Sequence, residues 1–242
     1  MKYSSVYEKL NSSRPSVLAL LDPDRISADE VSDVTKFVCD NGVKAILVGS
    51  SILVTSTFDK FVQSVKKSAV CPVILFPGGC HQVCAHADAI FFLSLLSGRN
   101  PEYLIGEQVK AVFSIKECGI EVIPVAYILV ESGGYTAVEY VSNTKPIPRV
   151  KSEITVAHAL AGEYFGMKYV YLEAGSGASS PVPAETVKQV RENISIPLVV
   201  GGGLRGYDEV RKTIDAGADF VVLGSIIERS RKEFEEIMRR LR

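Results

Sequence analysis

Eight short, almost unbroken apolar runs punctuate this chain of 242 residues, at 17–21, 45–48, 73–76, 89–93, 121–129, 168–172, 197–200 and 220–223. Runs that do not alternate apolar with polar residues read as strands buried on both faces, the habit of parallel sheets. Amphipathic segments lie between most of them, at 28–41, 58–67, 100–118, 154–165, 183–193 and 207–216. Eight such strands with mostly helical crossovers predict an α/β protein built as a single (β/α)8 TIM barrel over 1–242. A hydrophobic content of 47% supplies the core that a barrel of this length needs. No repeat, low-complexity tract or linker divides the chain.

Two links depart from the pattern. Between the third and fourth strands stand only about a dozen residues (PGGCHQVCAHAD), with a proline and two glycines, too few for a full crossover helix. An irregular or missing third helix is therefore expected. After the fifth strand comes a long link, 131–152, rich in Gly, Pro and Ser, which a barrel places over the catalytic end. The tail, 229–242, sets Phe234, Ile237, Met238 and Leu241 at helical spacing. It reads as a closing barrel helix or, with Arg and Lys flanking the stripe, as a helix lying on a membrane surface.

A formal net charge of −1 leaves no basic footprint for nucleic acid. The N-terminal residues 1–16 lack an apolar leader core, and no apolar run approaches the length of a membrane span. The five cysteines are odd in number and mostly set in apolar segments, which reads as reduced thiols in a cytoplasmic protein. Cys80, His81, Cys84 and His86 are spaced either as an unusual zinc cluster or as a tight loop with buried thiols.

The chemistry concentrates at strand ends. YLEAGSG (171–177), VGGGLR (200–205) and LGS (223–225) each close an apolar run with glycines and small hydroxyl residues. Backbone N–H groups left open in this way cradle oxyanions, and barrels commonly bind phosphate after strands seven and eight. Glu173 sits inside the first of these ends, where a phosphate site alone has no use for negative charge. It reads as a general base, an anchor for a substrate hydroxyl, or half of a structural ion pair. Tyr171, two residues earlier, shares its inward face. Strand one ends in Asp22-Pro23-Asp24-Arg25 and strand two in Gly49-Ser50-Ser51. Asp22 with Ser50 suffices for Mg²⁺ when phosphates and waters complete the octahedron; alternatively Asp24 caps a turn and Asp22 anchors a loop. Arg205 either adds charge to the phosphate or faces solvent.

Taken together, LLDPDR (20–25), PVAYILVESGG (124–134), VEYVS (138–142), PIPR (146–149), HALAGEYFGMKYVYLEAGSGA (158–178), VGGGLR and LGS resemble the geranylgeranylglyceryl phosphate synthase family, in the second of its two groups. That family includes the bacterial heptaprenylglyceryl phosphate synthases, and the resemblance spans essentially the whole chain. It implies a barrel modified at the third helix. It also implies a Mg²⁺-dependent prenyltransferase, which joins sn-glycerol-1-phosphate to a prenyl diphosphate through the first ether bond of archaeal-type lipids. By resemblance, Asp22 and Ser50 are the Mg²⁺ ligands. Tyr171, Leu172, Glu173, Ala174, Gly175, Ser176, Gly177, Gly202, Gly203, Gly224 and Ser225 form the glycerol-phosphate pocket. Glu173 lies beside the attacking hydroxyl, and Tyr127 is an inward tyrosine of strand five. Geranylgeranyl is the implied chain. A homodimer or hexamer, and transient membrane contact through the lipid product, are implied too. Two positions depart from the family: Ala19 and Leu20 stand where many relatives carry a basic residue, and Ser225 where many carry Asn.

Phe91, Phe92 and Leu93, with the helix at 103–112, are expected to wall an apolar groove for the prenyl tail. Two other functions fit the same cradle. A phosphosugar isomerase or synthase would pair Asp22 with Glu173 as acid and base, and an inactive scaffold would bind phosphate without turnover.

Overall fold

The structure, a computed structural model, describes residues 5–242. Residues 1–4, part of the stretch read above for a leader, lie outside the described residues. The eight expected strands are present as β1 Ser16–Leu21, β2 Ala45–Val48, β3 Val73–Leu75, β4 Ala89–Leu95, β5 Glu121–Leu129, β6 Tyr169–Glu173, β7 Leu198–Gly201 and β8 Phe220–Leu223. Each pairs in parallel with the next, and β8 returns to β1, with Val17 opposite Val221, to close the barrel. Closure leaves no sheet edge unpaired.

Alternation along each strand sorts the core into two shells. Leu18, Leu47, Phe91, Tyr127, Tyr171 and Val222 belong to the interior, while Ala19, Ile46, Ile90, Ile128, Leu172 and Val221 pack outward under the helices. The interior is unusually aromatic. The Tyr127 and Tyr171 ring centres are 5.2 Å apart, and Phe76 stacks on Tyr171, also at 5.2 Å.

The N-terminal end of the barrel is plugged by a helix that the apolar pattern did not reveal, α1 Val6–Asn11. Its start is a capping box, in which Ser5 accepts from the Glu8 N–H and Glu8 accepts from the Ser5 N–H. The Glu121 carboxylate, at the start of β5, accepts from the N–H groups of Val6 and Tyr7. Val6 and Leu10 join the interior shell, and the Asn11 amide donates to the Tyr169 hydroxyl at 2.9 Å.

The crossover helices α2 Val31–Asp40 and α3 Phe58–Ser68 follow β1 and β2, but residues 76–88 between β3 and β4 contain no helix. The next connection, expected to be helical over 100–118, starts with a turn of π-helix at Glu102–Gly106 and continues as α4 Glu107–Cys118. The long link after β5 is more ordered than its composition suggests. It carries α5 Ala137–Ser142, and Val130 pairs with Ile147. Helices α6 Ser152–Tyr164, α7 Ala184–Asn193 and α8 Tyr207–Asp215 complete the outer ring, followed by a short α9 Ser225–Arg229.

The tail forms α10 Arg231–Leu241, with Phe234, Ile237 and Met238 buried. The Phe234 ring meets Phe37 of α2 at 5.7 Å between centres, so the stripe is spent on closing the barrel. No helix among the described residues is long and apolar enough to cross a membrane.

Leu10→Ala removes the side chain that fills the barrel floor, where it is 1% exposed. It is expected to cost about 3 kcal/mol of stability, read as a lower denaturant midpoint. A loss under about 0.5 kcal/mol would show that α1 is not part of the cooperative core.

Candidate active site

All eight strands point their C-terminal ends at one mouth, so short side chains several tens of residues apart in sequence meet there. The mouth opens into a cleft with a cavity volume of about 190 Å³. Its wall on one side is polar and glycine-rich, with Glu173, Gly175, Ser176, Gly177, Gly202, Gly203, Gly224 and Ser225. Asp22, Ser50 and Tyr171 also line it. Leu172 and Ala174 do not: their side chains fall on the outward face of β6 and pack in the outer shell. The period of two that brings Tyr171 and Glu173 inward sends their neighbours away.

Glu173 is 6% exposed, the last residue of β6. Its Oε1 accepts from the Gly175 N–H at 2.6 Å. Burial lifts its carboxyl to about 7, against the opposing pull of that N–H and of the Tyr171 and Tyr127 hydroxyls. Burial beside the same carboxylate pushes both phenols well above their ordinary range, so they stay protonated and able to donate. The salt bridges of the described residues do not include Glu173, which removes the structural ion pair as its role.

The glycines are required by space as well as by backbone conformation. Gly202 and Gly203 take φ of +80° and +71°, in the left-handed region that side chains other than glycine rarely adopt. A Cβ on Gly202 would also fall within contact distance of Glu173 Oε1 and of the Gly175 and Ala174 amide nitrogens. The cradle thus lies directly against the carboxylate. Arg205 stays outside it. Its guanidinium donates to the Ala178 carbonyl at 2.7 Å and braces the loop after β6.

Asp22 and Ser50 face each other across the ends of β1 and β2. Burial raises the Asp22 carboxyl, offset by the Asp24 N–H, which it accepts at 2.9 Å, and raised again by the charge of Asp24; Ser50 also touches it. Asp24 has another task. Its carboxylate accepts from the Val54 and Thr55 N–H groups at 2.9 and 2.7 Å and so anchors the link after β2.

Ser50 is held by a residue that sequence reasoning passed over. Gln82 is fully buried in the helix-free third link, and its amide donates to the Ser50 carbonyl at 2.9 Å while accepting from the Ser50 N–H. A fully buried glutamine in a loop signals such a clamp, but only the fold shows that it is buried. Among the described residues no group of three or more His, Cys, Asp and Glu is gathered for a metal, the 80–86 quartet included.

The other arm of the cleft is mostly apolar, with Glu107 and Gln108 of α4 as its polar members. It runs past Phe76, Phe91 and Leu93 and over Ile90 and Phe92, on the outward face of β4, to Val83, Tyr103, Ala111 and Ile115. This is the space where a third crossover helix would otherwise pack. Of the residues expected as walls, Phe91, Phe92, Leu93, Tyr103 and Ala111 line this arm, joined by Phe76, Val83 and Ile115, while Val109 and Val112 are exposed outside it. From α5, Val138, Val141 and Ser142 also reach the cleft, so the long link does lie over the mouth as expected.

Fold and site together define a (β/α)8 barrel whose mouth joins a glycine-rich cradle, a buried carboxylate and a mostly apolar arm in one cleft. The chain belongs to the PcrB family, whose model matches residues 9–241. It is 44% identical over 239 residues to the geranylgeranylglyceryl phosphate synthase of Thermococcus gammatolerans, covering 96% of this chain and 94% of that one. Among solved structures it is similar to the wild-type GGGPS of Thermoplasma volcanium, with a TM-score of 0.90, 36% identity, and coverage of 98% and 95%. The (S)-3-O-geranylgeranylglyceryl phosphate synthase of Thermoplasma acidophilum, solved in complex with its substrate sn-glycerol-1-phosphate, also gives a TM-score of 0.90, at 34% identity over 97% and 95% of the chains.

A carboxyl raised from 4.5 to about 7 binds its proton more tightly in the folded state than in the unfolded one. Stability therefore falls as pH rises from about 4.5 to 7 and stays lower above that. Glu173→Gln keeps the shape without the charge. It is expected to raise stability at pH 8 by up to about 3 kcal/mol and to flatten the pH dependence across that window, as thermal unfolding at several pH values would show. Parallel curves for the two proteins would mean that Glu173 is solvated.

Proposed function

We propose that this chain is a prenyltransferase that joins the hydroxyl of sn-glycerol-1-phosphate to geranylgeranyl diphosphate, forming an ether bond and releasing diphosphate. One observation carries the reading: the Glu173 carboxylate is buried between a glycine cradle and an apolar arm of a single cleft. The phosphate of a small polar substrate fits the first, and a long hydrocarbon fits the second. The names of the relatives and the glycerol phosphate held by the Thermoplasma acidophilum enzyme support both halves. A phosphosugar isomerase has no use for the apolar arm.

The cradle fixes the phosphate of the acceptor, which brings its hydroxyl to Glu173. Ionised Glu173 takes the hydroxyl proton as the oxygen attacks. The allylic carbon–oxygen bond of the donor breaks, its electron pair leaves with the diphosphate, and the carbon bonds to the glycerol oxygen. Tyr127, Tyr171 and Phe76 present aromatic rings beside that path, and such faces attract the developing allylic cation. The apolar arm keeps the tail extended and water away.

Asp22 and Ser50 offer one carboxylate and one hydroxyl at the mouth, a donor set that suits Mg²⁺ when phosphate oxygens and waters supply the rest. A Mg²⁺ held by these two residues would supply positive charge against the leaving diphosphate. Gln82 keeps Ser50 in place for that role. The long apolar tail of the product makes transient contact with a lipid surface part of the same reading, and assembly into a homo-oligomer is carried over with it from the family resemblance.

The assay offers radiolabelled sn-glycerol-1-phosphate with geranylgeranyl and other prenyl diphosphates, and sn-glycerol-3-phosphate as the stereochemical control. An organic-extractable product from the first enantiomer is expected; its absence with every donor, in folded protein, would overturn the proposal. Glu173→Ala is expected to lower kcat by about 10²-fold or more while glycerol phosphate still binds. In the wild type, kcat/KM is expected to rise with pH as Glu173 ionises near 7 and then to level off. Asp22→Asn is expected to raise the Mg²⁺ concentration needed for half-maximal rate, and an unchanged requirement would place the ligand elsewhere.

A further inference from the structure

At the end of the barrel opposite the mouth, two thiols meet. Cys39 lies in the last turn of α2, which runs back from the mouth, and Cys71 lies in the link that enters β3. Their sulfur atoms are 3.7 Å apart, and one thiol hydrogen-bonds to the other. Neither belongs to a disulfide, and both are half-buried, so small oxidants reach them while bulk solvent does not surround them. The other three cysteines, Cys80, Cys84 and Cys118, make no such contact among the described residues.

We propose that Cys39 and Cys71 form a redox modification site, a reversible disulfide that ties α2 to the entrance of β3 when a peroxide oxidises the protein. The order of events follows from the asymmetry of the pair. The hydrogen bond from Cys71 brings the Cys39 thiol down to about 6, against burial and the charge of Asp40. That same bond, with burial and the proximity of Cys39, pushes Cys71 up, and Lys66 only partly opposes this. Donation from Cys71 thus favours Cys39 as the attacking sulfur.

The Cys39 sulfur attacks a peroxide oxygen, the O–O bond breaks, and with hydrogen peroxide one water leaves as Cys39 becomes a sulfenic acid. The Cys71 sulfur then attacks the Cys39 sulfur and displaces hydroxide, which takes the Cys71 proton and leaves as a second water. Two thiols and one hydrogen peroxide become one disulfide and two waters. The sulfurs have to close from 3.7 Å to the bonding distance of about 2.05 Å.

The consequence is in stability. The bond would close a loop containing α3 and β2, and cross-linking a loop of this length restricts the unfolded chain. The mouth, with Asp22, Ser50 and Glu173, lies at the far end of the strands.

The test treats the full-length protein with hydrogen peroxide, blocks remaining thiols and maps peptides without reduction. A linked pair of peptides containing Cys39 and Cys71, reversed by dithiothreitol, is expected, with free thiols falling from five to three. Melting temperature is expected to rise on the order of 5 °C on oxidation and to return on reduction. Cys39→Ser and Cys71→Ser should each abolish the shift, with Cys39→Ser also abolishing sulfenic acid labelling at the pair. Both cysteines recovered as alkylated thiols after peroxide, or a link that pairs either with another cysteine, would overturn the proposal. Because the readouts are mass and melting, this result stands or falls apart from the transferase assay.

Discussion

The site depends on one uncomfortable burial, that of the Glu173 carboxylate at the top of an apolar, aromatic barrel. Water is replaced there by the Gly175 N–H and the hydroxyls of Tyr171 and Tyr127, which is too little to return the carboxyl to its ordinary range. The result is an acid that changes charge near neutrality, which is what a general base for an alcohol needs. It also explains the glycines. Nothing larger than hydrogen fits at Gly202, because the carboxylate and the amide nitrogens it faces already occupy the space. The glycine-rich turn and the carboxylate are thus one construction, held by the end of β6 against the end of β7.

The second constraint is an omission. A complete barrel surrounds its sheet with helices; here residues 76–88 run without one. The outward residues Ile90 and Phe92 would face that helix and instead line an arm of the cleft, roofed by the π-helical turn and α4. The link also delivers Gln82, whose buried amide has no crossover helix to satisfy it and so pairs with the Ser50 backbone. One missing helix therefore opens the apolar arm and steadies a residue at the polar end.

Much of this was legible beforehand. Double-sided burial of eight strands leaves an unmistakable apolar signature, and glycine-rich ends show because few other residues tolerate positive φ. The shortness of the third link could be counted, although what filled its place could not. Leu172 and Ala174 entered the expected pocket because their motif is contiguous, and the strand pleat then turned both outward. The helix α1 escaped notice because its two apolar anchors, Val6 and Leu10, span a single turn, too short for periodicity to stand out. Its capping box was the available signal. The short α5 hid in the same way, within a link whose glycines and prolines suggested loop throughout.

From the sequence alone came the barrel, the position of its irregular link, and the glycine, carboxylate and hydroxyl residues that the strand ends bring to the mouth. These are local matters: a run's polarity pattern and a glycine's backbone freedom are properties of neighbours in the chain. Tertiary structure alone decided that Asp24 anchors a loop while Asp22 meets Ser50, that Gln82 clamps Ser50, that Glu173 titrates near neutrality, and that Cys39 touches Cys71. Each depends on distance and desolvation between groups far apart in the chain, and a closed barrel sets both at once by bringing every strand end to one of two faces.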